Sequence, residues 1–233
     1  MGMATITKNV MKGLGIFLML LSLVSATKVK EQAWREPCGG PPAAPPPGLP
    51  VPPPITTVNT MIPILEDSVF KANELKNKYL NERFSSKDRF IAMMNDFHFE
   101  GMPAVSMSLS EISQSLSNLT LAHQTNYEKV SRALVFLEQV ALDEDLLESS
   151  SYIDDVSSIQ IGALNLLCNK QKLILNAGAV INYVSSSIMK DDVRGYSNIF
   201  ERHVRDYIIV KDVYRLLETM LTHVQAIHNS LAA

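Results

Sequence analysis

The residues of this chain that could do chemistry do not converge on a reaction. The five histidines, His98, His123, His203, His223 and His228, include no pair at the i, i+4 spacing that sets two metal ligands on one helix face. No HExxH, GxSxG, phosphate-loop or EF-hand pattern occurs. Asp143, Glu144, Asp145 and Glu148 form an acidic group, but they lack the spacing and the turn glycine of a calcium loop and read as a solvated link. Two cysteines do not make a zinc site by themselves. The expectation is therefore a chain without catalysis, metal or cofactor, one that works by binding.

Three features carry binding or modification chemistry. Cys38 and Cys168 are an even pair, which in an oxidising compartment favours one disulfide; the alternative is a buried free thiol at Cys168. Asn118-Leu119-Thr120 is a glycosylation sequon. The third feature is Phe200, set among Arg202, His203 and Arg205 at the front of a helix. Cations there oppose the helix dipole, by about 0.3–1 kcal/mol each. Phe200 is either a plug for the end of the core or an exposed aromatic in a basic ring, as interface anchors are.

That helix is the longest element of the chain. Asn198 to Leu231 contains neither Pro nor Gly, and Asn198 with Glu201 three residues later is placed to form a capping box. Val210, Val213, Leu217, Met220, Val224, Ile227 and Leu231 alternate in steps of three and four, one apolar stripe. About 34 residues at 1.5 Å each give a rod of roughly 50 Å. Extending its stripe leaves Phe200 about 140° from the centre.

Three more helices are expected to cover this rod. The first is predicted over about 60–84 on Ile62, Leu65, Val69, Ala72, Leu75 and Tyr79, with Pro63 in its first turn. The second is predicted over about 118–142 and the third over about 154–184, where Lys170 interrupts the apolar stripe. A long connection, about 85–117, holds Phe90, Ile91, Met93, Met94, Phe97 and Phe99 and breaks at Gly101-Met102-Pro103. The second connection is short. The third, about 13 residues, reaches roughly 43 Å. Long, short, long fits an up-up-down-down four-helix bundle, so the fold class is all-α, over residues 60–233.

The rest of the chain frames that bundle. Lys8 and Lys12, the apolar run Gly13 to Val24 and the small residues Ser25-Ala26 have the form of a secretory leader over 1–26; about twelve apolar residues are short for a membrane span, which takes about twenty. The expected location is extracellular, with no membrane insertion. Residues 27–59 are read as an extended Pro-rich tail. A net charge of -3 gives no reason to expect a nucleic-acid partner. A monomer is expected.

Gly101-Met102-Pro103 with Ala-Val-Ser after it, Asn126-Tyr127 opening NYEKVSRALVFLEQV, and Ile199-Phe200-Glu201-Arg202 resemble the ciliary neurotrophic factor and cardiotrophin-like members of the interleukin-6 group of long-chain helical cytokines. The resemblance covers about residues 60–230 in order. It implies a cytokine that cross-links a shared signal-transducing receptor chain and a leukaemia inhibitory factor receptor-like chain, triggering JAK–STAT signalling. It also implies that Phe200 meets the latter chain; His203 stands where that family has Lys, and Arg202 is the neighbouring cation. Leukaemia inhibitory factor and oncostatin M also tie the tail to the third helix, which implies the Cys38–Cys168 pair. The other expectation is a secreted carrier of lipid or small apolar ligands.

Overall fold

The computed structural model describes residues 33–42, 50–146 and 152–233. The leader expected over 1–26, and parts of the tail and of the acidic link at 27–32, 43–49 and 147–151, lie outside the described residues. Among the described residues the chain is all-α, with seven α-helices and no strand. Four are long: α1 (Pro54–Arg83), α4 (Leu119–Leu146), α5 (Ile153–Asn176) and α7 (Ile199–Ala232). The short α2 (Lys87–Met94) and α3 (Leu109–Ser115) lie in the first connection, and α6 (Asp191–Arg194) follows a 3-10 turn at Ser186–Ile188 in the last. None of these helices is long and apolar enough to cross a membrane.

The long helices form a bundle. α1 packs on α7 and α5, and α4 packs on α5 and α7. Val58, Met61, Leu65, Ala72, Leu75 and Tyr79 put one face of α1 inside, each large side chain contributing roughly 1.5–3 kcal/mol by burial. The C-terminal ends of α1 and α4 meet: the Tyr79 hydroxyl donates to Glu144 at 2.6 Å. The starts of α5 and α7 arrive at the same end, where Tyr152 packs edge-on against Tyr79 and Arg205 pairs with Asp143. At the opposite end His223 of α7 meets Asn126 of α4 at 3.0 Å, and Thr60 of α1 meets Asn169 of α5 at 3.2 Å.

Helix limits differ from expectation in two places. α1 begins at Pro54, six residues before the expected start, because Pro53 and Pro54 occupy the cap and first helical position, where a missing N–H costs nothing. Pro63 therefore lies inside the helix, not in its first turn; it and Asn59, whose carbonyl loses its donor, both lie on the exposed face of the helix. α5 stops at Asn176, not near Val184. Gly178 takes a φ of 70°, its N–H donates to Leu175 O at 2.9 Å and the Ala179 N–H to Ile174 O at 3.0 Å, which together close a Schellman cap. The extended segment beyond it leaves Val180 exposed and buries Ile181 and Val184.

The tail is fastened to the bundle by two devices. Cys38 and Cys168 of α5 stand at disulfide distance, with Cα atoms 4.9 Å apart. A link across 130 residues lowers unfolded-state entropy by about 4–5 kcal/mol in the chain model. Trp34, 2% exposed, donates from its indole to Val184 O at 3.1 Å, and its own carbonyl accepts the Tyr127 hydroxyl at 2.8 Å. The helix break at Gly178 is what frees the Val184 carbonyl to serve as that acceptor.

Lys170, the residue that interrupts the α5 stripe, is wholly buried, and its Nζ has no hydrogen-bond partner among the described residues. It faces two buried histidines, His123 of α4 and His223 of α7. Asn126 donates to Nδ1 of His223, so the imidazole proton sits on Nε2 and points to Ser115 of α3, 2.6 Å away. Three bases thus share one end of the core, where a groove of ≈ 280 Å³ reaches His223. Burial lowers the Lys170 pKa to about 7, and burial with the Lys170 charge lowers His123 to about 3 and His223 to about 4. Unfolded Lys170 holds its proton up to about 10.5, so the unfolded state binds the extra proton below that and stability drops as pH falls towards 7. Urea unfolding from about pH 9.5 to about pH 7.5 is expected to show a loss approaching 1.4 kcal/mol per pH unit, which Lys170→Met removes while raising stability at pH 7.5.

Candidate functional site

Behind its exposed first turn α7 is buried on every side, where the sequence suggests one apolar stripe beginning at Val210. Every residue from Arg205 to Val213 is buried. α1 and α4 cover part of it, and the rest lies under a strap of chain, residues 84–107, that crosses α7 and contains α2. The strap is fixed by α7 itself. Lys211 Nζ donates to the carbonyls of Met94, Asn95 and Phe97 at 2.7, 3.1 and 2.8 Å, closing the C-terminal end of α2 with a cation, where the helix dipole favours one. Arg215 donates to Asn95 O at 2.8 Å, His98 Nδ1 lies 2.9 Å from buried Asp212, and Thr219 donates to Val105 O at 2.7 Å. At the far side of the strap Gly101 has a φ of 91°, and a Cβ there would stand 2.3 Å from the Ile188 carbonyl oxygen, so only glycine fits.

Beneath the strap lies a group of buried charges. Arg205 is fully buried; it pairs with Asp143 of α4 and with Asp206, the latter at 2.7 Å, and donates to the carbonyls of Val193 and Arg194. Arg83 of α1 pairs with Glu144 at 2.6 Å, the same carboxylate that accepts the Tyr79 hydroxyl. Three carboxylates thus face two guanidiniums. Burial pushes Asp206 up to about 7 against the pull of Arg205, with Asp143 adding to the rise. Burial opposes the Arg205 charge as well, but Asp206 and Asp143 outweigh it and raise its pKa. The acidic group at 143–148 is not simply a solvated link: Asp143 and Glu144 lie in the core.

Over this base the helix start turns outwards. Asn198 caps α7, its Oδ1 accepting the Phe200 N–H at 2.8 Å. The reciprocal capping box is found at Ser108 and Glu111 of α3. Phe200 is 58% exposed, and one edge of its ring meets Phe84 at a centroid distance of 6.3 Å. Phe84 stacks on Phe90 at 3.8 Å, and Tyr207 meets both. Beside Phe200 runs an apolar groove of ≈ 320 Å³, walled by Phe90, Met93, Met94 and Phe97 of the strap and by Val204 and Ile208 of α7.

The cations near Phe200 do not form an open ring. Arg202 donates to the carbonyls of Tyr196 and Ser197 at 3.3 and 3.1 Å, Arg205 is consumed below, and His203 is half-buried. The structure gathers Phe200, Arg202 and His203 in one helical turn. Asn118 is exposed at the other end of α4, its Oδ1 accepting the Leu121 N–H at 3.1 Å; its Nδ2, the atom a glycan would occupy, is not needed for that cap. Among the described residues no group of three or more His, Cys, Asp or Glu is arranged to hold a metal ion. Compared with known proteins, the chain has no significant match to a family model, a curated protein or a solved structure.

The two sides of the α7 front therefore differ in energetic weight. Arg205→Met leaves Asp143 and Asp206 uncompensated in the core and is expected to cost about 3–5 kcal/mol. Phe200→Ala loses little more than one edge contact and is expected to cost about 1 kcal/mol. Urea unfolding of the two variants measures both; a loss of about 3–5 kcal/mol in Phe200→Ala would mark it as a core side chain.

Proposed function

We propose that this chain is a secreted helical cytokine of the interleukin-6 type, acting by cross-linking cell-surface receptor chains and so triggering JAK–STAT signalling. The observation that carries the reading is Phe200, an aromatic left mostly in water at the start of the last long helix, beside an apolar groove and above a rigid buried base. A side chain held out at such a cost in exposure is what interface anchors look like before a partner covers them. On this reading Phe200 enters a leukaemia inhibitory factor receptor-like chain, with Arg202 and His203 in the same turn at its margin.

The bundle is read as up-up-down-down. Its support is that the ends of α1 and α4 lie with the starts of α5 and α7, while the first and last connections are long. A disulfide and a chain without a membrane-spanning helix among its described residues suit an extracellular protein. Phe70 of α1 and Ile161 of α5, exposed on helices that pack together, are the candidates for a second contact, with the shared signal-transducing chain. A carrier of lipid or small apolar ligands is the rival reading, and a lipid-extraction assay on the purified protein separates the two.

Purified secreted protein is expected to capture the leukaemia inhibitory factor receptor ectodomain, and to activate STAT in cells bearing that receptor with the shared chain. Phe200→Ala should weaken capture by about thirtyfold or more, the usual cost of truncating an anchor of at least 2 kcal/mol. Capture and signalling unchanged in Phe200→Ala would overturn the proposal.

A further inference from the structure

We infer that the receptor contact at the front of α7 is two-way: the partner presents an apolar side chain to the groove beside Phe200 and, next to it, a cationic side chain to Glu201. This rests on the receptor reading above and specifies the partner's chemistry. The groove is wide enough for a leucine, methionine or phenylalanine side chain, and its walls offer such a group only carbon and thioether sulfur over most of their surface. Met93, 60% exposed, and Phe200 stand on it from the strap and from α7. Phe200 is thus a knob with a socket at its side.

Charge decides what must accompany the apolar group. The groove's lining contains two charged residues, Arg205 and Glu201. Arg205 is neutralised below by Asp143 and Asp206. Glu201 is exposed and carries no ion pair or side-chain hydrogen bond among the described residues. The cation nearest in sequence keeps its charge but is not part of the lining: Arg202 is held by the backbone carbonyls of Tyr196 and Ser197. Lys211, across the strap, is balanced by Asp212 at 3.3 Å and bound to carbonyls of the strap. Within the lining itself Glu201 therefore presents the exposed charge, and that charge is negative. A partner covering the groove with an acidic or purely apolar surface would leave Glu201 desolvated and unpaired, which disfavours such partners. A Lys or Arg beside the entering apolar side chain pairs with it.

The test is binding of the full secreted chain to purified leukaemia inhibitory factor receptor ectodomain, across a salt series. Three exposed positions are changed, each with its unfolding midpoint recorded. Glu201→Gln should lose the salt dependence of association, Glu201→Lys should weaken binding by about tenfold or more, and both should fold as the wild type does. Met93→Glu, which puts a carboxylate in the socket, should weaken binding by about tenfold or more without loss of stability. Wild-type affinity in Glu201→Lys or in Met93→Glu, with Phe200→Ala still weakened, overturns this inference and leaves the receptor reading standing. Wild-type affinity in Phe200→Ala, or no binding by the unaltered chain, overturns both.

Discussion

One buried ion pair system holds the upper end of this bundle together. Arg205 cannot leave its carboxylates without exposing two charges to a dry interior, and its guanidinium also binds the carbonyls of Val193 and Arg194, where the last connection turns into α7. The same core end holds Arg83 with Glu144 and Tyr79. Through these groups α1, α4 and α7 are tied by directional contacts that a purely apolar core does not supply. Such contacts fix the rotation of α7 about its axis. With Arg205 and Asp206 inside, Phe200, five residues before Arg205, is carried to the margin.

The strap depends on that rotation. Lys211 and Arg215 reach the end of α2 only because α7 presents them on that side, and their bonds set α2 against the helix. The groove is the space left between strap and helix, so its walls are positioned by polar bonds while its lining is apolar. That combination suits a recognition surface. The apolar lining gives a partner something to bury, and the polar scaffold keeps the surface open when no partner is present. The base cluster around Lys170 occupies the opposite end, where His223 fastens α3 through Ser115. The two ends respond to acid in opposite senses: Asp206 gains stability by binding a proton, and the three bases lose it.

Much of the bundle was legible in the sequence because long apolar stripes at helical spacing have one reading. α4 and α7 fall close to their expected limits, and Asn198 caps α7 as its type and place suggest. The ends of α1 and α5 were harder. Pro53-Pro54 looks like tail until the first-turn tolerance for proline is applied, and Val180 and Val184 keep the helical period past the glycine that ends α5. The site was legible only in part. Phe200 stood out by its angle to the stripe. The buried state of Arg205, Asp206, Lys211 and Asp212 did not, because charges flanking Tyr207–Val210 read as solvated faces unless their partners on α4 and the strap are known. Those partners are distant in sequence, Asp143 and the carbonyls after α2, and nothing local announces them. The aromatic and methionine residues of the strap were visible as composition; their assembly into a groove needed the Lys211 bonds.

On the proposed receptor reading, the strap and the front of α7 together form the surface that a partner covers. Hydrogen exchange read by mass spectrometry, on the purified chain with and without the leukaemia inhibitory factor receptor ectodomain, is the decisive measurement. New protection is expected to be confined to the strap around residues 88–99 and to the chain around 196–204, with the buried amides of 205–213 already slow in the free protein. Protection centred elsewhere on the bundle, or fast exchange of 205–213 before any partner is added, would contradict it.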